Sequence, residues 1–347
     1  GRFSVERQFP KRECRADEPL IVKVALKRDS YFPLLFLIVE DRLSEELTGS
    51  LFQKGNKAVL YPGFRKEFSF IYQIEKLPRG EHHFRTVRIV TSDILGLVKR
   101  EVQIPDDERI LVYPSYGNWS YKPSENNFEQ GTMAVNDRLK RDMTMAVGIR
   151  EYQPGDKLSW INWKASAKRS EIMMKEFEQK RSRDLLLILD CSSHPLFELL
   201  VQYAASIGYA ALRKGARVGF MSVGAERVML PLQGGEDSQR QLLYQLAKSK
   251  DQCPISLEQV LRTERLLLSQ KANQLLITAQ ISAELIEAAQ MFTARKFPVT
   301  IFVIQAAGGR ISPYGQSMKE MAHSRGIDVQ FVYGAPLPSG MKKEVER

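Results

Sequence analysis

The residues best placed to do chemistry lie in two stretches. The first is Asp190-Cys191-Ser192-Ser193-His194, which follows the apolar run 185–189. An acid at the end of such a run sits where open α/β sheets bind their ligands. Ser192 or Cys191 could act as a nucleophile with His194 as base. They are too close in sequence to hold a defined geometry without a third, orienting group. A hydrolase-like enzyme working in the Asp190 crevice therefore stands as the alternative reading. The adjacent His82 and His83, and His323, show no metal-ligand spacing and read as structural or surface residues.

The second stretch is 148–180, GIREYQPGDKLSWINWKASAKRSEIMMKEFEQK. Gln153-Pro154-Gly155-Asp156 has turn chemistry: Pro presets φ, Gly tolerates positive φ, and Asp can bond nearby amides. Trp160 and Trp163 are three apart, so on one helical turn they would share a face. Between Arg138 and Arg183 twelve basic residues meet six acidic ones. Tryptophans among cations suggest nucleic acid. The interleaved Asp and Glu argue against it, and a structural clasp is the preferred reading. In that clasp Trp163 packs under the loop, and Arg150 and Asp156 lock the turn by charge-assisted hydrogen bonds.

Elements on either side must position these stretches. Residues 1–112 carry short alternating segments at 20–27, 34–40, 64–73, 82–91 and 109–112. Turns at 61–63, 78–80 and 105–107 separate them, which predicts an all-β, sandwich-like domain. Residues 113–147 are rich in turn formers and read as a connector. Residues 148–182 form the motif, placed between domains. From 183 to 333 strands alternate with helices, which predicts a doubly wound α/β domain. Its strands are expected at 185–189, 217–223, 226–232 (an edge strand), 274–278, 298–304 and 327–332. Residues 334–347 read as a frayed tail.

Composition bounds the rest. The chain of 347 residues is 43% hydrophobic and 27% charged, as a globular protein is. No apolar run nears the roughly 18 residues that cross a bilayer. The chain starts at Gly1 and reads as a trimmed fragment, so a membrane segment upstream is compatible with it. Three widely spaced cysteines, Cys14, Cys191 and Cys253, point away from a disulfide framework and toward a reducing compartment. A net charge of +10 permits an anionic partner without requiring one.

Arg150-Glu151-Tyr152, Pro154-Gly155-Asp156 and Ile161-x-Trp163-Lys164-Ala165-Ser166-Ala167 resemble the signature of the bacterial family called domain of unknown function 58. Glu176-Phe177-Glu178 is similar to its continuation. Residues 93–97 resemble the family's Asp-Pro-Phe-Gly-Leu corner, with Ile94 and Leu95 replacing Pro and Phe. The sequence departs from the signature at Ser159 and Trp160, where Arg is usual, and at Asn162, where Asp or His is usual.

The resemblance implies a von Willebrand factor type A-like α/β domain and a transmembrane hairpin upstream of Gly1. It also implies a location on the cytoplasmic face of the bacterial cell membrane. MoxR-type AAA+ ATPases and transglutaminase-like membrane proteins are the implied partners. No enzymatic activity is established for the family. The type A fold often binds a divalent cation through Asp-x-Ser-x-Ser, a Thr and a further Asp. Asp190 and Ser192 match that pattern, His194 replaces the second Ser, and no Asp follows Thr278. Mg²⁺ asks for more hard oxygen ligands than that, so no cofactor is the expectation, with a degenerate Mg²⁺ site at Asp190 and Ser192, and hence a metal-dependent binder, as the alternative. The expectation is a non-enzymatic interaction or adaptor module, with Lys168 and Arg169 as its docking charges.

Overall fold

The computed structural model describes residues 2–50, 55–92, 99–117, 146–153, 158–177, 184–224, 227–253, 255–263, 272–295 and 297–334. They fall into two compact units. The larger comprises Gly1–Lys122 with Asp184–Arg347, and the smaller is Pro123–Arg183. The architecture is mixed α/β with several sheets.

The first part of the larger unit is built from β1 (Phe3–Gln8), β2 (Glu13–Arg15), β3 (Leu20–Arg28), β4 (Leu37–Arg42), α1 (Glu45–Gly49), β5 (Lys57–Leu60), β6 (Glu67–Ile74), β7 (Gly80–Ser92) and β8 (Lys99–Tyr113). One sheet has the order β1-β3-β6 and another β2-β8-β7-β4-β5. The alternation in β3 sends Leu20, Val22, Val24 and Leu26 inward. They share one buried cluster with Leu37, Val39, Phe84, Ile89 and Ile110 of the second sheet. Beside it lies a buried ion pair: Arg7 reaches both carboxylate oxygens of Asp41 at 3.0 and 2.8 Å, and the Tyr72 hydroxyl donates to Asp41 at 2.8 Å.

Two expectations need correction. Pro105-Asp106-Asp107 is not a turn between strands; β8 runs straight through it. A register shift opposite Phe84 and Thr86 gives β8 an extra residue. Such a bulge accommodates Pro105, which has no N–H to donate, and turns Asp106 toward Arg7 at 3.0 Å. The connector also starts later than residue 113. Tyr113 ends β8, and residues 114–117 lie against the first long helix described below. The rest of the connector, and the corner at 93–97, lie outside the described residues.

The smaller unit holds β9 (Ala146–Glu151), a 3-10 turn (Leu158–Trp160), α2 (Trp163–Arg169) and β10 (Met173–Phe177). The second part of the larger unit then follows as β11 (Leu185–Asp190), α3 (Phe197–Arg213), β12 (Val218–Val223), β13 (Arg227–Gln233), α4 (Glu236–Lys248), α5 (Leu257–Thr263), β14 (Asn273–Thr278), α6 (Ala283–Thr293), β15 (Val299–Ala306), α7 (Pro313–Ser324) and β16 (Ile327–Gly334).

These strands form one six-stranded sheet of order β13-β12-β11-β14-β15-β16. It is parallel throughout except for β13, which pairs antiparallel with β12 at the edge. β11 is apolar on both faces. Leu185, Leu187 and Leu189 pack with α3 and α4, while Leu186 and Ile188 pack with α5, α6 and α7. A central parallel strand covered on both sides reads as such a run. Ser282 and Ser312 cap α6 and α7 by accepting from the amides of Leu285 and Gly315.

Within the larger unit Arg79, on the turn between β6 and β7, ties the first part to the second. It pairs with Glu198 of α3 and donates to the carbonyls of Leu246, Ala247 and Ser249 at the end of α4. A guanidinium at these carbonyls satisfies groups that a helix end leaves open. Nearby, the Gly117 amide donates to Ser206, and the Tyr116 and Tyr209 rings lie 4.5 Å apart between centroids.

Candidate functional site

β9 and β10 pair antiparallel, with Met173 opposite Glu151 and Met174 opposite Arg150. Between them the chain makes the 3-10 turn and then α2. Asn162 separates the two: its Oδ1 accepts from the Ala165 amide at 3.2 Å and so starts α2. Ser166 anchors the helix to the strand. Its hydroxyl donates to the Asn162 carbonyl at 3.0 Å and accepts from the Met173 amide at 2.9 Å. The Asn162 amide in turn donates to the Met173 carbonyl at 2.8 Å. Ser170 closes α2 in the left-handed region at φ 56.

Trp163 does not pack under the loop as expected; Trp160 is the buried one. Trp160 is 3% exposed and packs with Ile161 and Met174, whereas Trp163 is 72% exposed. They do not share a helical face, because Asn162 lies between them at φ −94 and ψ 87 and breaks the turn. Trp160 ends one helical turn and Trp163 begins another helix. Leu158, Ile172, Ile149 and Tyr152 are also exposed. So are Lys164, Lys168 and Arg169; Lys164 and Lys168 share a face of α2 at i, i+4. Glu151 is exposed as well. Arg150 donates to the Glu151 carbonyl at 2.9 Å. Pro154, Gly155 and Asp156 lie outside the described residues, and with them the expected lock between Arg150 and Asp156.

The second candidate is the corner where β11 ends. Asp190 accepts from the Ser192 amide at 2.9 Å and the Ser192 hydroxyl at 2.6 Å on one oxygen. Its other oxygen accepts from the Thr278 hydroxyl at 2.7 Å. Thr278 ends β14, the neighbour of β11, so the sheet itself brings the pair together. Asp190 thus ties two strand ends; it does not cap α3, whose cap is Leu196. His194 Nδ1 accepts from the Leu196 amide at 3.1 Å, which takes the ring nitrogen a base would use. Cys191 is fully buried, and burial pushes its thiol up to about 12. A nucleophile needs an exposed, acidified thiol, so Cys191 is not one.

As a cation site the corner offers one carboxylate, already engaged on both oxygens, and two hydroxyls. Among the described residues no group of three His, Cys, Asp or Glu side chains converges. Mg²⁺ favours an octahedron of oxygens with water and one or more carboxylates; here both oxygens of the single carboxylate accept hydrogen bonds from within the protein. Two of the other histidines have local partners: His82 meets the Pro78 carbonyl at 2.7 Å, and His83 lies near Glu81 and Asp107.

Sequence reasoning gave no structural role to Asn162, Met174 or Thr278, and it placed Trp160 on the same face as Trp163. Asn162 was readable as an Asn directly before a helical segment. Thr278 carried no local signal, since its partner is 88 residues away.

Residues 148–321 match the family described as Protein of unknown function DUF58. The chain is 32% identical over 335 residues to the Uncharacterized protein YeaD of Bacillus subtilis (strain 168), covering 96% of this chain and 83% of that protein. Among solved structures, the CARDB domain of a Pyrococcus furiosus protein covers 32% of this chain and 92% of its own at 11% identity, with a TM-score of 0.22. The bacterial hydrophobin BslA covers 33% of this chain and 98% of its own at 10% identity, with a TM-score of 0.23. Neither overlap defines a common fold.

Proposed function

The chain belongs to the family of proteins of unknown function DUF58, and from that membership we propose that it is a non-enzymatic interaction module whose signature unit docks an acidic protein partner. One observation carries this reading: a small unit held by Asn162, Ser166 and Met173 leaves Trp163 exposed on the helix that also carries Lys164, Lys168 and Arg169. An exposed aromatic beside cations is the composition of a binding hot spot. The closed hydrogen bonding around Asp190 speaks against the hydrolase-like alternative.

The partner we favour is a MoxR-type AAA+ ATPase, with a transglutaminase-like membrane protein in the same assembly, on the cytoplasmic face of a bacterial membrane. Residues 1–112 would act as a sandwich-like domain and residues 183–333 as a von Willebrand type A-like domain. The doubly wound sheet, with Asp190 and Thr278 at its strand ends, supports the second assignment. The test is binding of a purified MoxR-type ATPase to the chain and to the double variant Lys168→Glu with Arg169→Glu. Binding that weakens with salt and is lost in the double variant supports the reading. Equal binding by both proteins rejects these charges as the dock.

A further inference from the structure

Two loops of the β-rich part hold together a cluster of large apolar side chains that the other described residues leave uncovered. Residues 29–36 join β3 to β4, and residues 61–66 join β5 to β6. Leu34 and Gly63 exchange both backbone hydrogen bonds at 3.0 Å. Gly63 makes the turn at φ 58, a conformation other residues adopt only with strain. Buried Arg28 pins the rest: it donates to the carbonyls of Arg65 at 2.8 Å, Phe32 at 2.5 Å and Gly63 at 2.7 Å. The two loops are therefore one fixed surface. On it Tyr31, Phe32, Leu35, Tyr61 and Phe64 are all more than half exposed.

Soluble proteins scatter exposed apolar residues singly; a fixed cluster of five marks a contact surface. Its chemistry narrows the partner. Four of the five are aromatic, and rings with one wet edge favour the level of lipid headgroups. The charges at the cluster are mainly positive. Arg65 is exposed, and the Lys66 ammonium lies 3.4 Å from the centroid of the Tyr31 ring. Exposed Arg2 stands beside Asp29, whose amide donates to the Arg2 carbonyl. Glu67, the other acid, is paired with Lys27 at 2.9 Å. Cations flanking exposed aromatics are complementary to an anionic bilayer surface.

We propose that the loops 29–36 and 61–66 form a membrane-contact surface, which places Tyr31, Phe32, Tyr61 and Phe64 among the headgroups of an anionic bilayer with Arg65 and Lys66 on lipid phosphates. This surface lies on residues other than the signature unit and stands whether or not that unit docks a protein. The test is cosedimentation of the full chain with vesicles of phosphatidylcholine plus phosphatidylserine, and with vesicles of phosphatidylcholine alone. The chain should sediment with the anionic vesicles, less so at high salt. Phe32→Ser with Phe64→Ser should lower that binding by about tenfold or more, since it removes two inserting rings. Arg65→Glu with Lys66→Glu should abolish the preference for anionic vesicles while the melting temperature holds, and this pair keeps the test valid if the first pair fails to fold. No binding to anionic vesicles overturns the proposal, as does binding that both pairs leave unchanged. Light scattering that shows a dimer dissolved by the Phe pair, without lipid, also overturns it and makes the surface a self-contact.

Discussion

The Asp190 corner and the signature unit contain similar raw material: an acid, hydroxyls and a few chemically capable neighbours. They use it in opposite ways. At Asp190 both carboxylate oxygens are satisfied from within, by Ser192 and by Thr278 of the neighbouring strand. In the signature unit the internal hydrogen bonds run through Asn162, Ser166 and Met173, and Trp163 with its neighbouring cations is turned outward. A polar group whose partners are internal holds the fold together, and its loss shows up as instability. An exposed ring beside cations contributes little to the fold, and on the proposed reading its loss should show up in binding instead.

The largest effect expected from this contrast is at Trp160. Trp160→Ala empties the space beside Ile161 and Met174 and should destabilise the smaller unit by about 3–5 kcal/mol, read as a lowered unfolding midpoint in denaturant. Trp163→Ala should cost less than about 0.5 kcal/mol in the same measurement. If the two variants unfold alike, the division between buried and presented tryptophan fails.

Asp190→Ala comes next. It leaves the Ser192 and Thr278 donors without their acceptor and should cost about 2–3 kcal/mol, while binding by the signature unit stays intact. Adding millimolar-range Mg²⁺ should leave the melting temperature of the parent protein unchanged, because ligand stabilises only where it binds. A saturable rise that disappears in Asp190→Ala would turn the corner from a strand tie into a metal site.

Cys191 sharpens the same point through pH. Its thiol is raised in the folded protein from 9.0 to about 12, mainly by burial. The stability this contributes is fully present below pH 9.0 and is lost as pH rises toward about 12. The fall should be about 1 kcal/mol per pH unit, and Cys191→Ala should lack that part of it. An unchanged alkaline slope in the variant would mean that the thiol titrates normally. Thr278→Val should cost about 1 kcal/mol, the smallest of the expected losses.

How much of this was legible in the sequence depended on the range of each interaction. The parallel strands declared themselves because a run such as 185–189 is apolar on both faces. The edge strand β13 rested on local residues and was equally readable. Local signals misled where a tertiary partner decided the outcome. Pro105-Asp106-Asp107 has turn composition, yet pairing with β7 carries the strand through it as a bulge. The spacing of Trp160 and Trp163 suggested one helical face, but Asn162 ended one turn and opened the next helix. The tie between Thr278 and Asp190 exists only once β11 and β14 lie side by side. The aromatic loops were invisible for the same reason, since Arg28 gathers them only once β3 and β6 pair and bring the two loops to one end of the sheet.

The central claim is that the signature unit folds through Trp160 and binds through Trp163. The most direct measurement is one titration series of a purified MoxR-type ATPase into the parent chain, Trp163→Ala and the Lys168→Glu, Arg169→Glu pair, with a melting curve on each protein. All three should melt together, and both variants should bind at least about tenfold more weakly. A Trp163→Ala protein that melts well below the parent, or one that binds the ATPase as the parent does, would contradict that claim.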